Sequence, residues 1–256
     1  MSRYIKDSAG KLVKFADKFL KMANHIYNEG IYYLRVKAGG GTVADREMVE
    51  DIYKVYEENN MLDNIRVGVL AQAGGVQRTS GIYWFFSKLF TLRTDANDIT
   101  QSTANSQPYF VNGALVNPNG GTRFMTHPTV SFAANEAWTW SGIIDWSGAN
   151  LGYSIICSSL SDRYISIRES SRRIEIFNGS TIIPNITINE IAGKKTHISI
   201  VYDTVNLYIY VNKELFYSTL TNGSFIFDRL FVYKGVISQE FKGSLYSHFI
   251  RSGALT

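Results

Sequence analysis

Apolar residues near the start of the chain recur at intervals of three and four: Leu12, Phe15, Ala16, Phe19, Met22, Ala23 and Ile26. That spacing predicts one α-helix over about residues 7–28, with a single apolar stripe. Lys11, Lys14, Lys18 and Lys21 fall on its other side, Asp7 or Ser8 can cap its start, and Gly30 is placed to stop it. After the break at Gly39-Gly40-Gly41, Val43, Met48, Val49, Ile52, Tyr53, Val55 and Tyr56 form the apolar face of a second helix, Thr42 to Asn60. Thr42 or Asp45 can cap this helix, and Asn59-Asn60 ends it. Residues 61–70 read as a short helix or an extended connection. Residues 71–121 are rich in Gly, Asn, Ser, Thr and Gln, yet they carry Tyr83, Trp84, Phe85, Phe86, Tyr109 and Phe110. This reads as an ordered connection that packs on something.

Beyond Thr122 the period falls to two. Residues 137–144, 152–157, 164–168, 173–177, 196–202, 207–211, 225–233 and 241–250 read as strands, several with strict alternation of apolar and polar positions. Turn signals lie at Asn178-Gly179, Asn212-Lys213 and Asn222-Gly223. Short strands at this spacing predict an antiparallel β-sandwich or barrel. The expected class is therefore α+β: a helical segment followed by an antiparallel sandwich. The expected division is a helical attachment or oligomerisation region over 1–70, a connecting region over 71–121 and the sandwich over 122–256.

Composition sharpens this in two places. The 256 residues carry a formal net charge of +4, but residues 1–37 hold eight Lys/Arg against three acids. The excess marks either a solvated helix face or an arm for an acidic partner surface. Lys11, Lys14, Lys18, Lys21, Phe15 and Phe19 are the candidate docking residues. A single cysteine, Cys157, excludes an internal disulfide and reads as a small buried hydrophobe. No signal peptide or membrane-length apolar run is visible, so export and membrane insertion are not expected.

The strand from Thr196-His197-Ile198 to Asp203, followed by Leu207-Tyr208-Ile209-Tyr210-Val211-Asn212-Lys213, resembles the W-x-H … L-Y-V-N-G hairpin of concanavalin A-like, laminin-G-like jelly-roll domains. Phe241-Lys242-Gly243-Ser244-Leu245-Tyr246, continuing to Phe249-Ile250, resembles their final strand. The resemblance spans residues 122–256. Thr196 stands where Trp is usual, and Lys213 replaces the turn glycine, which is expected to force a different turn geometry. The layout over residues 40–110 is similar to virion structural proteins of tailed bacteriophages. That resemblance implies a non-enzymatic auxiliary capsid, head-fibre or tail component, made in the bacterial cytoplasm and present as a homo-oligomer or in several copies on the virion. Its partners would be other virion proteins and a host glycan, with no membrane and no nucleic acid.

The chemistry that can be sought is limited. The Glu-x-Asp-x-x-Glu strand of jelly-roll glycoside hydrolases is missing, and Glu175 is the mid-sandwich carboxylate on a strand. His25, His127, His197 and His248 lack zinc-site spacing. No catalytic residue is expected. Laminin-G-like domains often hold Ca²⁺, which makes Asp145 and Asp203 candidate ligands, with turn capping the alternative reading. Trp138, Trp140 and Trp146 are the candidate sugar-stacking residues. Trp138 and Trp140 share parity and can equally pack a core, whereas Trp146, in Asp145-Trp146-Ser147-Gly148, reads as the exposed loop anchor.

Overall fold

The computed structural model describes residues 4–6, 12–14, 28–59, 61–80, 83–93, 97–117, 123–146, 153–159, 163–168, 173–179, 181–182, 193–221, 224–231, 241 and 243–254. Strands are β1 (Tyr4–Lys6), β2 (Leu12–Lys14), β3 (Ile65–Leu70), β4 (Gly75–Ser80), β5 (Tyr83–Leu89), β6 (Ile99–Thr100), β7 (Tyr109–Val111), β8 (Ala114–Val116), β9 (Met125–Phe132) and β10 (Trp138–Trp146). They continue with β11 (Tyr153–Ser159), β12 (Arg163–Arg168), β13 (Arg173–Phe177), β14 (Thr181–Ile182), β15 (Lys195–Tyr202), β16 (Asn206–Val211), β17 (Glu214–Leu220), β18 (Phe225–Leu230) and β19 (Gly243–Ser252). Residues 28–38 form α1 and Arg46–Glu58 form α2.

The expected antiparallel sandwich is present. One sheet runs β17-β16-β15-β10-β19-β3 and the other β14-β13-β12-β11-β18-β9, with every pairing antiparallel. The inner faces alternate as half-buried strands require. Trp138, Trp140, Ile198, Ile200, Leu207 and Ile209 point inward from the first sheet and meet Ile165, Ile167, Phe225, Phe227 and Phe132 from the second. Trp138 lies 5.3 Å from Phe225 and 5.6 Å from Phe227, ring centroid to centroid, so the aromatics bridge the sheets. Each such pair adds about 0.5–1.5 kcal/mol beyond its buried area. Cys157 is buried in this core as expected.

The expected boundary near residue 122 does not exist in the hydrogen bonding. β3 pairs with β19 from Ser247↔Leu70 to Arg251↔Ile65, and β8 pairs with the start of the same strand edge. From there the pairing runs β8-β7-β5-β6 to β9. One side of the sandwich is thereby closed by strands from the segment expected to be a connection. These strands hold two to seven residues each, too few to show a period amid Gly, Asn and Ser.

Within residues 1–70 the helical expectation holds for α2, and residues 61–70 hold a short helical turn, Leu62–Asn64, followed by the extended β3, as the reading of that stretch allows. Asp45 caps α2, its Oδ1 accepting the Met48 N–H at 2.9 Å, and Asn59 follows its last turn. The first expected helix, over about residues 7–28, is contradicted at residues 12–14. Leu12–Lys14 is a strand paired to Tyr4–Lys6, with Ile5 opposite Val13. A partner within ten residues makes closure of that loop cheap, and β-branched Val13 favours extension. Phe15, Phe19, Lys18 and Lys21 lie outside the described residues, as does Lys11. Gly30 does not stop a helix but sits inside α1.

α1 and α2 pack on the outer side of the β3 edge. Tyr32, Val36, Val49 and Tyr53 form a second core with Ile65, Phe90, Leu92 and Phe249. Polar ties complement it. The Tyr53 hydroxyl donates to Leu92 O, and the Arg35 guanidinium donates to Thr91 O and Arg93 O and pairs with Asp98 at 3.4 Å.

The Asn212-Lys213 turn also departs from expectation. It joins β16 to β17 with Val211 opposite Glu214, and both turn residues have positive φ, 51° and 76°. That is the two-residue turn that suits hairpin twist. Lys213 therefore adopts the conformation usually left to glycine, and the geometry is unchanged.

Candidate binding surface

The three tryptophans expected to stack on sugars are all in the core. Trp138 and Trp140 are 0% exposed and Trp146 is 1% exposed. Trp146 is not a loop residue. β10 is paired on both sides, and the Trp146↔Gly243 pair on β19 keeps Trp146 within the strand. Its parity is that of Trp138, Trp140 and Ile144, so it faces inward with them. That parity was the available signal.

The tryptophan with an open face is Trp84, 52% exposed. It sits in β5 between Thr79 of β4 and Phe110 of β7. Phe110 and Phe86 pack edge-to-face at 4.9 Å behind it, so the apolar row of the core emerges at this position. Sequence reasoning passed over Trp84 because Tyr83-Trp84-Phe85-Phe86 is a run of four aromatics without a visible period.

The opposite face of the same strands is cationic. Phe85 and Tyr109 rings lie 4.6 Å apart, centroid to centroid. The Arg78 guanidinium lies 4.4 Å from the Phe85 centroid, and that of Arg123 lies 4.3 Å from Tyr109 and 5.4 Å from Phe85. Arg78 donates to Gln107 Oε1 and Ala104 O; Arg123 donates to Gln107 O and the Tyr109 hydroxyl. All four acceptors are uncharged.

An open cleft of about 600 Å³ lies where β3 and β9 approach. Arg66, Asn97, Thr129, Ser131, Glu136 and Ser252 supply its polar lining. Arg66 Nε donates to Ser252 Oγ at 2.7 Å, Asn97 Nδ2 donates to Arg66 O, and Glu136 Oε2 accepts the Ala133 N–H. Glu136 is the one carboxylate among these lining residues. Glu175 is 1% exposed and accepts the Tyr164 hydroxyl at 2.7 Å.

The candidate calcium ligands are separate. Asp203 closes its own hairpin: Oδ1 accepts the Val205 and Asn206 N–H groups, and Oδ2 accepts the Tyr208 hydroxyl. Those donors hold its carboxyl below the usual carboxylate range, with the Asn206 amide the largest cause. Asp145 is a β10 strand residue between Lys195 and Ser244. Among the described residues no three His, Cys, Asp or Glu side chains gather as a metal site would require.

Two histidines meet inside the sandwich, His127 from β9 and His248 from β19, with ring centroids 6.0 Å apart. His248 Nδ1 accepts the Trp140 indole N–H at 3.0 Å, so its proton is on Nε2. His127 Nδ1 lies 2.8 Å from Pro128 O, which can only accept, so there the proton is on Nδ1. Burial pushes both imidazoles below the ordinary 6.5, and His127 lowers His248 further.

No protein-family model matches the chain, and no curated protein does. Among solved structures, a Trypanosoma rangeli sialidase in complex with sialic acid is similar at 14% identity and a TM-score of 0.49, over 82% of this chain and 37% of that one. The binding domain of botulinum neurotoxin serotype G is similar at 13% identity and 0.48, over 75% of this chain and 49% of that one. Domain 4 of AbnA, a GH43 extracellular arabinanase from Geobacillus stearothermophilus, in complex with arabinotriose, is similar at 16% and 0.42, over 62% of this chain and 77% of that one. The chain thus spans less than half the length of the sialidase and of the toxin domain.

Proposed function

We propose that the chain is a non-enzymatic recognition protein whose sandwich presents a glycan-binding surface centred on Trp84. The half-exposed indole of Trp84, on a strand paired at both edges, carries the reading. An indole fixed in this way offers a flat face to the C–H side of a sugar ring at little entropic cost. A binding role rather than turnover is supported by the carboxylates: Glu136 is alone among the cleft residues, and Glu175 is buried.

The test uses the four tryptophans. Three are buried, so fluorescence quenching by acrylamide reports chiefly on Trp84. A saccharide bound there is expected to protect the indole from quencher. Trp84→Ala is expected to weaken binding at least tenfold, about 1.4 kcal/mol, with the thermal midpoint little changed. Saccharide binding that is indifferent to Trp84→Ala would overturn the assignment.

A second reading concerns where the module is carried. The basic excess of residues 1–37 supports an N-terminal attachment end, and with it the bacteriophage virion reading. Cryo-microscopy of particles lacking the protein is expected to show lost surface density. Unchanged density at every site would contradict it.

A further inference from the structure

The back of the Trp84 strip holds two cations that no acidic side chain among the described residues answers. Arg78 lies over Phe85, and Arg123 lies over both Phe85 and Tyr109, so two like charges share the Phe85 ring. The ion pairs formed among the described residues involve other side chains, and none involves Arg78 or Arg123. A guanidinium has five N–H donors, and two acceptors for each leave donors over on both.

The pair is also pre-set. Gln107, 3% exposed, receives one hydrogen bond from each arginine, on its side-chain oxygen from Arg78 and on its carbonyl from Arg123. Its own Nε2 donates to Gln101 O, and Gln101 Nε2 donates to Phe124 O. The two forks are thus fixed by the rings below and the 101–107 segment beside them. Side chains already ordered lose little freedom when an anion arrives. The planar fork matches a carboxylate or sulfate with two parallel hydrogen bonds.

We infer that Arg78 and Arg123 form an anion site of their own, on the face opposite Trp84, and that it takes the carboxylate or sulfate groups of an acidic glycan. This rests on the glycan reading given above and specifies its chemistry. A nucleic acid suits the site less well. It would need a basic stripe and free ring faces for bases, whereas Phe85 is 6% exposed and the cations are two.

The experiment measures binding of the full chain to a uronate polysaccharide, a sulfated polysaccharide, a neutral glucan, poly-glutamate and single-stranded DNA, at 50 and 300 mM NaCl. An acidic polysaccharide is expected to bind at least tenfold more tightly than the neutral one at low salt, with the preference shrinking at high salt. Arg78→Gln/Arg123→Gln is expected to remove that preference. Because both arginines brace the 101–107 segment, Arg78→Lys/Arg123→Lys is the companion variant. It is expected to keep the salt dependence and lose affinity several-fold, with near-ultraviolet circular dichroism as the check on folding. Free glucuronate and inorganic sulfate competing on the wild-type chain need no variant, and one or both are expected to displace the acidic polymer. Neutral binding without acidic preference overturns the inference and leaves the glycan reading standing. No binding to any polysaccharide overturns both. Poly-glutamate or DNA bound as tightly as the acidic polysaccharide also overturns it, since charge alone would then suffice.

Discussion

His127 and His248 are neutral because each spends one ring nitrogen on a fixed partner inside the sandwich. Protonating His248 at Nδ1 would set an N–H against the Trp140 indole N–H, and burial opposes charge on either ring. Asp228 favours charge on His127 only as a lesser influence than burial. The sign follows from the direction of the shifts. The unfolded chain takes up protons near pH 6.5 and the folded one does not, so stability is complete above that pH and falls below it. The slope approaches about 1.4 kcal/mol per pH unit for each imidazole that stays neutral. Urea unfolding at pH 7.5 and 5.5 checks this. The midpoint is expected to drop at pH 5.5, and to drop less in His127→Leu/His248→Leu; equal midpoints in the wild type would contradict the burial of these rings. Neither the pair nor its tautomers were legible in the sequence, because they lie 121 positions apart and only the sheet packing brings them together. Trp146 was legible in principle through its parity with Trp138 and Trp140, but the Ser147-Gly148 that follows it in the sequence reads as a turn and hid its place in β10.

The Asn212-Lys213 hairpin has a twin within the molecule. Asn112-Gly113 joins β7 to β8 with φ values of 50° and 78°, against 51° and 76° at Asn212-Lys213. The same turn is therefore built once with glycine and once with lysine at the second position. Lysine in the left-handed region costs about 1–2 kcal/mol, partly offset by the entropy a glycine would lose on folding. Lys213→Gly is expected to raise stability by roughly 0.5–1 kcal/mol, read as a higher thermal midpoint; a fall would mean that the lysine makes a contact worth more than the strain. Among the elements, those with clear alternation were the readable ones: β12, β13, β15 and β16 fall within a residue of their expected bounds. β17 was missed because Glu214–Leu220 lies at a sheet edge and is half exposed along its length, so no face is marked. β4 to β8 were missed because their apolar positions are satisfied by distant partners rather than by a local period.

At the scale of the molecule, the segment over residues 65–116 is what makes the candidate surface rigid. β5 is held between β4 and β7, and β7 reaches β19 through β8. Trp84 on one face and the Arg78–Arg123 pair on the other therefore share a scaffold with the buried tryptophans of β10. Were this strip a mere tether, neither face would be pre-organised and the binding readings would lose their physical basis. Native-state hydrogen exchange resolves the two cases directly. The amides of β3, β5 and β7 that pair within the sheet are expected to open with the same free energy as those of β10 and β19, in one cooperative unit. Exchange of β5 and β7 at a much lower free energy, while β10 and β19 stay protected, would contradict the closed sandwich and the fixed binding surface built on it.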